Sequence, residues 1–256
     1  MNMISNPKVQ GFVPVWAPFK GFSLLFDNPG DSCSRLSDFP RLAKMDCRYD
    51  RPELSFYRTL WDVGSGASEL VCSYLFCPLP LHSYHVTVWD GINDFNVRRL
   101  PEGERAEAER WLQGLPGSFD PEHGLLAGRG GEPIGIRMDP IEFEFDRLEK
   151  WNNASIVARL KPADSRSEDV LRGIEEEREK LNQLFEERFG IATASKSYRP
   201  HVSIGYLGNK ELGEKAEEAV RRLNERMEPG MSGLRLRFAG ISMYGMSDME
   251  TFFKWA

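Results

Sequence analysis

Two short phrases in the chain have residues suited to chemistry: "HVTV", starting at His85, and "HVSI", starting at His201. Each places valine, a hydroxyl residue and a second β-branched residue after a histidine. The chain has 4 histidines, so half of them head nearly the same phrase, far apart in sequence. Read as strands, alternate side chains share a face. His85, Thr87 and Trp89 are then expected on one face, against Val86 and Val88. His201, Ser203 and Gly205 are expected on one face, against Val202, Ile204 and Tyr206. The aliphatic sides can bury while the histidine and hydroxyl sides line a groove. Imidazole titrates near neutrality, so one ring can take a proton while the other gives one. Hydroxyls can donate hydrogen bonds to non-bridging phosphate oxygens. That set suits phosphoester chemistry without a metal. Either phrase alone reads as ordinary strand packing; the matched pair is what points to a site. His82 and His123 lack the pattern and read as surface or loop residues.

The elements that must position these phrases are mixed. "GFSLLF" (21–26) reads as a strand, 51–64 as a helix and the apolar run 69–78 as a strand stopped by proline. Helix-forming composition over 102–115 ends near Gly114. The alternation of Ile141, Phe143 and Phe145 with Glu142, Glu144 and Asp146 predicts a half-buried strand. A strand over 154–160 precedes a long amphipathic helix over 167–190, with Val170, Ile174, Leu181 and Phe185 on one face, Ser167 as cap and Gly190 as stop. A second helix is expected over about 210–228, with closing strands in 234–246 and 250–256. Apart from these elements the first third of the chain, rich in proline and glycine, reads as irregular. Strands and helices without regular βαβ alternation predict an α+β class.

Composition narrows the partners. At 256 residues with 41% hydrophobic and 28% charged side chains, the chain is expected to build its own core. A net charge of −6 argues against a broad nucleic-acid surface. A nucleotide or short RNA end is therefore expected as partner, not a long duplex. The 4 cysteines do not make a disulfide scaffold in a chain of this size. Cys72, Cys77 and His82 are evenly spaced, but their segment reads as a buried strand, and CxxC, HxH and HExxH are all missing. No metal and no cofactor is expected. The proline-broken N-terminus does not read as a signal peptide and no segment reads as a membrane span. A cytoplasmic location is the default expectation.

"HVTV" and "HVSI" resemble the paired H-x-[ST]-x motifs of the 2H phosphoesterase superfamily. That superfamily includes bacterial RNA ligase-like proteins, cyclic nucleotide phosphodiesterases and an RNA 3′-end exonuclease. The resemblance implies a bilobal α+β fold, with two antiparallel-rich sheets facing a pseudo-twofold cleft and helices outside. It implies metal-independent cleavage or formation of 2′,3′-cyclic or 2′,5′ phosphodiesters. By position, His85 and His201 would be the acid–base pair, and Thr87 and Ser203 the phosphate-binding hydroxyls. Tyr84, Trp89 and Tyr198, with Tyr206 ranked last, are candidates to stack on a base. Lys196 and Arg199 are candidates to neutralise a phosphate. The resemblance spans about 69 to 255, within a single bilobal domain over 1–256 in which 1–68 is an N-terminal elaboration. Trp89 departs from the pattern by being bulky where the second phrase has Gly205. The leading activity is hydrolysis of a nucleotide or RNA phosphodiester, with a 2′,3′-cyclic phosphate foremost. The rival readings are 2′,5′ RNA ligase-like or 3′-end exonuclease activity, a non-catalytic nucleotide-binding module, and an interaction protein in which the phrases are coincidence.

Overall fold

A computed structural model of the chain describes residues 6, 16–30, 33–47, 51–120, 124–126 and 134–256. His123 lies outside the described residues. Two antiparallel sheets form the body. The first has strands β1 (Pro18–Phe26), β2 (Cys33–Leu36), β3 (Phe39–Met45), β5 (Thr87–Asn93), β10 (Ile241–Asp248) and β11 (Phe252–Trp255), in the order β2-β3-β11-β10-β1-β5. The second has β4 (Phe76–Pro78), β6 (Ile141–Trp151), β7 (Ser155–Pro162), β8 (His201–Leu207) and β9 (Leu236–Phe238), in the order β4-β8-β7-β6-β9. Strands from the two ends of the chain share the first sheet, so the fold is α+β and not a run of βαβ units.

Helix α4 (Ser165–Phe189) joins the two sheets. It packs on β5 of the first sheet and on β6 and β7 of the second. Ile174, Leu181, Phe185 and Phe189 recur at helical spacing and are buried. Phe185 meets Trp89 at a ring-centroid distance of 4.6 Å and Phe22 at 6.3 Å. Burying each such ring contributes about 1.5–3 kcal/mol. The helix is capped by Asp164, whose side chain accepts from the Ser167 N–H at 2.8 Å, and it ends at Gly190 with φ +68°. Ser167 is therefore not the cap. It lies inside the first turn, and its hydroxyl accepts instead from the Glu142 N–H of β6, at 3.1 Å. Helix α3 (Glu102–Gly114) packs on β1, and α6 (Glu217–Met231) packs on β6 and on α1 (Ser55–Ser65).

Three expectations need correction. The run 69–78 is not one strand: Ser68–Tyr74 is helix α2, and Phe76–Pro78 alone is β4. A continuous apolar run carries no period, and Leu75 at φ 50° turns the chain between the two elements. The helix expected over 210–228 is two, α5 (Lys210–Lys215) and α6, divided at Ala216. The region before residue 51 contains the β2–β3 hairpin. Its short outer strand is half-exposed and lacks an apolar alternation to read. Among the described residues no helix is long and apolar enough to cross a membrane.

Close backbone approach pins β8 to β4. A Cβ at Gly205 would lie 2.5 Å from the Cys77 carbonyl oxygen and 2.5 Å from the Phe76 ring. Gly205→Ala should therefore lower stability by about 1–3 kcal/mol, the usual cost of overpacking. An unchanged urea midpoint would show that β4 yields freely.

Candidate active site

The two phrases meet at one residue pair. Val86 and Val202 form an antiparallel bridge, linking the edge of the first sheet to the N-terminal half of β8. Both valines are fully buried. One residue to either side, that register sets His85 opposite Ser203 and Thr87 opposite His201. Residues directly opposite share a face, so both histidines and both hydroxyls face the same way, and all four are half-buried. The histidines are diagonal neighbours across the bridge, with Cα atoms about 7–8 Å apart.

The pseudo-twofold relation extends to the atoms around each ring. His85 Nδ1 is 2.7 Å from the Ser83 carbonyl oxygen, and His201 Nδ1 is 2.9 Å from the Arg199 carbonyl oxygen. Each partner is two residues upstream. A carbonyl can only accept, so the proton is assigned to Nδ1 in both rings and Nε2 is the position that gains or loses one. Phe252 lies against the His85 ring at 4.2 Å and 50°, and Trp151 against the His201 ring at 4.2 Å and 51°. Trp151 is placed by the β6–β7 turn, in which Asn152 and Asn153 both take positive φ (52° and 53°). Asparagine tolerates that left-handed backbone, and the two residues occupy the centre of a tight turn closed by the Ala154 N–H donating to the Trp151 oxygen at 2.9 Å.

The symmetry also includes a bulge. In β5, Leu25 of β1 pairs with Thr87 and Leu24 pairs with Trp89, so Val88 is an extra residue. In β8, Val157 of β7 pairs with Ser203 and Ile156 pairs with Gly205, so Ile204 is extra. Each bulge falls directly after the hydroxyl residue and reverses the alternation beyond it. Trp89 and Gly205 therefore turn away from the groove, which resolves their difference in size. Asp90 takes the exposed position instead.

This overturns Trp89 as a stacking platform. It is fully buried, its Nε1 donates to Asn182 Oδ1 at 3.0 Å, and its ring packs on Phe185. Tyr84 is also a core residue. It is 1% exposed and edge-on to Tyr57 at 5.9 Å, and burial pushes its phenol above the ordinary range. Tyr206 is buried too, edge-on to Trp16 at 6.1 Å, although the bulge at Ile204 shifts it out of the alternation that was expected to turn it from the groove.

Tyr198 and Arg199 do line a cavity, of about 540 Å³, together with Thr87, His201, Trp151 and Arg178. Lys196 is exposed and does not line it. His85 and Ser203 are also off this cavity, which opens on one side of the pseudo-twofold axis. His82 stands apart, 3.4 Å from the Glu250 carboxylate. Among the described residues no cluster of histidine, cysteine, aspartate or glutamate is arranged to hold a metal.

Two buried groups hold the Thr87 side of the site. The bulge takes the Thr87 and Val88 carbonyls out of regular pairing, and side chains from elsewhere reach them. The Tyr198 hydroxyl donates to the Thr87 oxygen at 2.9 Å, and Arg178 Nε donates to the Val88 oxygen. Arg178 also stacks over the Tyr198 ring at 4.2 Å. On the Ser203 side, the Ile204 carbonyl accepts from the Leu79 backbone N–H at 2.9 Å. Sequence reasoning missed Arg178, although a signal was present: it lies four residues after Ile174, on the apolar stripe of α4. Burial works to raise the nearby Glu149 carboxyl. The Trp151 side chain, the Arg159 guanidinium at 3.0 Å and Arg147 outweigh it and hold it below its ordinary value. The Trp151 N–H is close to Glu149 yet outside hydrogen-bonding geometry.

The chain aligns over 97% of its length with a conserved protein of unknown function, ATU0111 from Agrobacterium tumefaciens str. C58. The TM-score is 0.50, with 11% identity, and 89% of that chain is covered. At that level the two share a fold. Weaker likenesses are to E. coli LigT complexed with 3′-AMP (TM-score 0.39, 11% identity, 93% of this chain and 95% of that one) and to Kluyveromyces marxianus Usb1 (TM-score 0.38, 9% identity, 93% and 98%). No family model and no curated protein sequence matches the chain.

Proposed function

We propose that the protein is a metal-independent 2H-type phosphodiesterase acting on a nucleotide or RNA phosphodiester, foremost a 2′,3′-cyclic phosphate. The observation that carries the reading is the pair of histidines about the Val86–Val202 bridge, each with Nδ1 latched to a carbonyl and each opposite the other phrase's hydroxyl. One neutral imidazole takes a proton at Nε2 from water as the water oxygen attacks phosphorus. The other, protonated, gives its Nε2 proton to the departing ribose oxygen as the P–O bond breaks. Thr87 and Ser203 donate hydrogen bonds to the non-bridging oxygens, where charge develops. The latches favour this division of labour, because a carbonyl at Nδ1 fixes the tautomer before substrate arrives.

Turnover of 2′,3′-cyclic nucleotides, 2′,5′-linked dinucleotides and short RNAs with varied 3′ ends tests this reading. Hydrolysis of a cyclic phosphate in the presence of chelator is the expected result. Affinity without turnover across the whole panel would establish a binding module instead. The rate should follow a bell-shaped pH profile. It falls at low pH as the base histidine protonates, and at high pH as the acid histidine loses its proton. A rate that rises monotonically through this range would remove the paired mechanism. Thr87→Ala and Ser203→Ala should each slow turnover by about 10- to 1,000-fold, the worth of a single donor to a charged oxygen. Thr87→Ser should restore most of the loss, and a rate unaffected by either alanine would exclude the hydroxyls.

A further inference from the structure

Arg178 is a buried cation, 5% exposed, whose hydrogen-bond partners are neutral. Its Nε donates to the Val88 carbonyl, its Nη2 to the Ser195 carbonyl at 3.3 Å, and its plane stacks over Tyr198. Asp90, Glu175 and Glu179 favour its charge from beyond ion-pairing distance, and burial pulls its pKa down. An ion held in a protein interior without a close counter-ion is costly. A guanidinium has five N–H donors, and the two bonds to carbonyls leave Nη1 unused among the described residues. Arg178 also lines the cavity beside Thr87 and His201.

The other charged groups of that cavity are mostly answered by the protein. Glu149 is paired with Arg159 at 3.0 Å, and Lys150 with Glu217 at 2.9 Å. Arg178 and Arg199 are the cavity's cations outside those pairs, and Ser195 and Ser197 also line it. The carbonyl bonds hold the guanidinium in place before any ligand enters, and an arginine fork matches phosphate geometry. A volume of about 540 Å³ has room for more than the reacting phosphate.

We propose that this cavity is a subsite for a second phosphate of the substrate, with Arg178 as its cation. The inference rests on the phosphodiesterase reading and adds to it that the preferred substrate carries a phosphate besides the one cleaved.

The test compares adenosine 2′,3′-cyclic phosphate with the same compound bearing a 5′-phosphate, by steady-state kinetics and by calorimetric binding to the native protein. The 5′-phosphate is expected to lower KM and Kd by about 10- to 100-fold, the worth of a charge-assisted hydrogen bond. Arg178→Gln should abolish that preference, and Arg178→Lys should keep part of it. If both substrates lost the same factor in Arg178→Gln, Arg178 would be a positioning residue and the subsite would be overturned. A preference that followed the base and not the 5′-phosphate would overturn it too. Should Arg178→Gln fail to fold, the native comparison decides alone, since equal affinity for the two compounds refutes the subsite. Binding with the expected preference but no turnover would sink the phosphodiesterase reading and leave the subsite standing.

Discussion

His85→Ala and His201→Ala should each lower kcat by about 100- to 10,000-fold, the usual worth of a positioned acid or base. The loss is expected in kcat more than in KM, because each imidazole acts on a proton that moves in the transition state. The double variant should lose less than the product of the single losses, since both groups serve one concerted transfer. Neither substitution should unfold the protein. Each ring is half-buried, with a hydrogen bond to a carbonyl and an aromatic face among its contacts, while the valines that join the sheets remain. His82→Ala is the control. Its carboxylate partner Glu250 is at the surface, where an ion pair contributes little, so activity should be near that of the native protein. Steady-state kinetics with a urea titration of each variant decide the matter. Full activity in a folded His85→Ala or His201→Ala protein would remove the pair from the mechanism.

The pairing of the phrases was legible because it is written in residue type. Histidine, valine and a hydroxyl residue at strand spacing put the same chemistry on one face twice, and the bridge between Val86 and Val202 brings those faces together. The α+β class and the long helix were legible for a similar reason, since α4 has an apolar stripe and a glycine stop, although its cap is Asp164 and not the expected Ser167. Trp89 and Tyr84 were misplaced by one physical event and one limit. A bulge inserts a residue at Val88, and strict alternation cannot anticipate where a strand gains one. Tyr84 precedes the bridge, where packing against Tyr57 decides its surroundings and no local pattern records it. Arg178 was lost because the charged face of α4 reads as solvated. Its place on the stripe meant burial, and a carbonyl freed by the Val88 bulge gave it a partner from distant sequence. The bulge therefore explains both the misplaced tryptophan and the overlooked arginine.

Trp89→Ala should destabilise the protein by about 3–5 kcal/mol, the range for deleting a large buried aromatic. Three features of the site place it there. The side chain is fully buried, its ring packs on Phe185 at 4.6 Å, and its Nε1 satisfies Asn182, which is itself 5% exposed. Removing the indole leaves a cavity beneath β5 and a buried amide oxygen without its donor. Trp89→Phe separates those effects. It keeps most of the ring and forfeits the hydrogen bond, so a smaller loss of about 1–3 kcal/mol is expected. A base-stacking residue would behave in the opposite way, raising KM while leaving the unfolding midpoint alone. Urea midpoints and KM measured on both variants distinguish the two roles. A native midpoint with a raised KM for Trp89→Phe would return the indole to the groove and refute the Val88 bulge as the point where the strand changes phase.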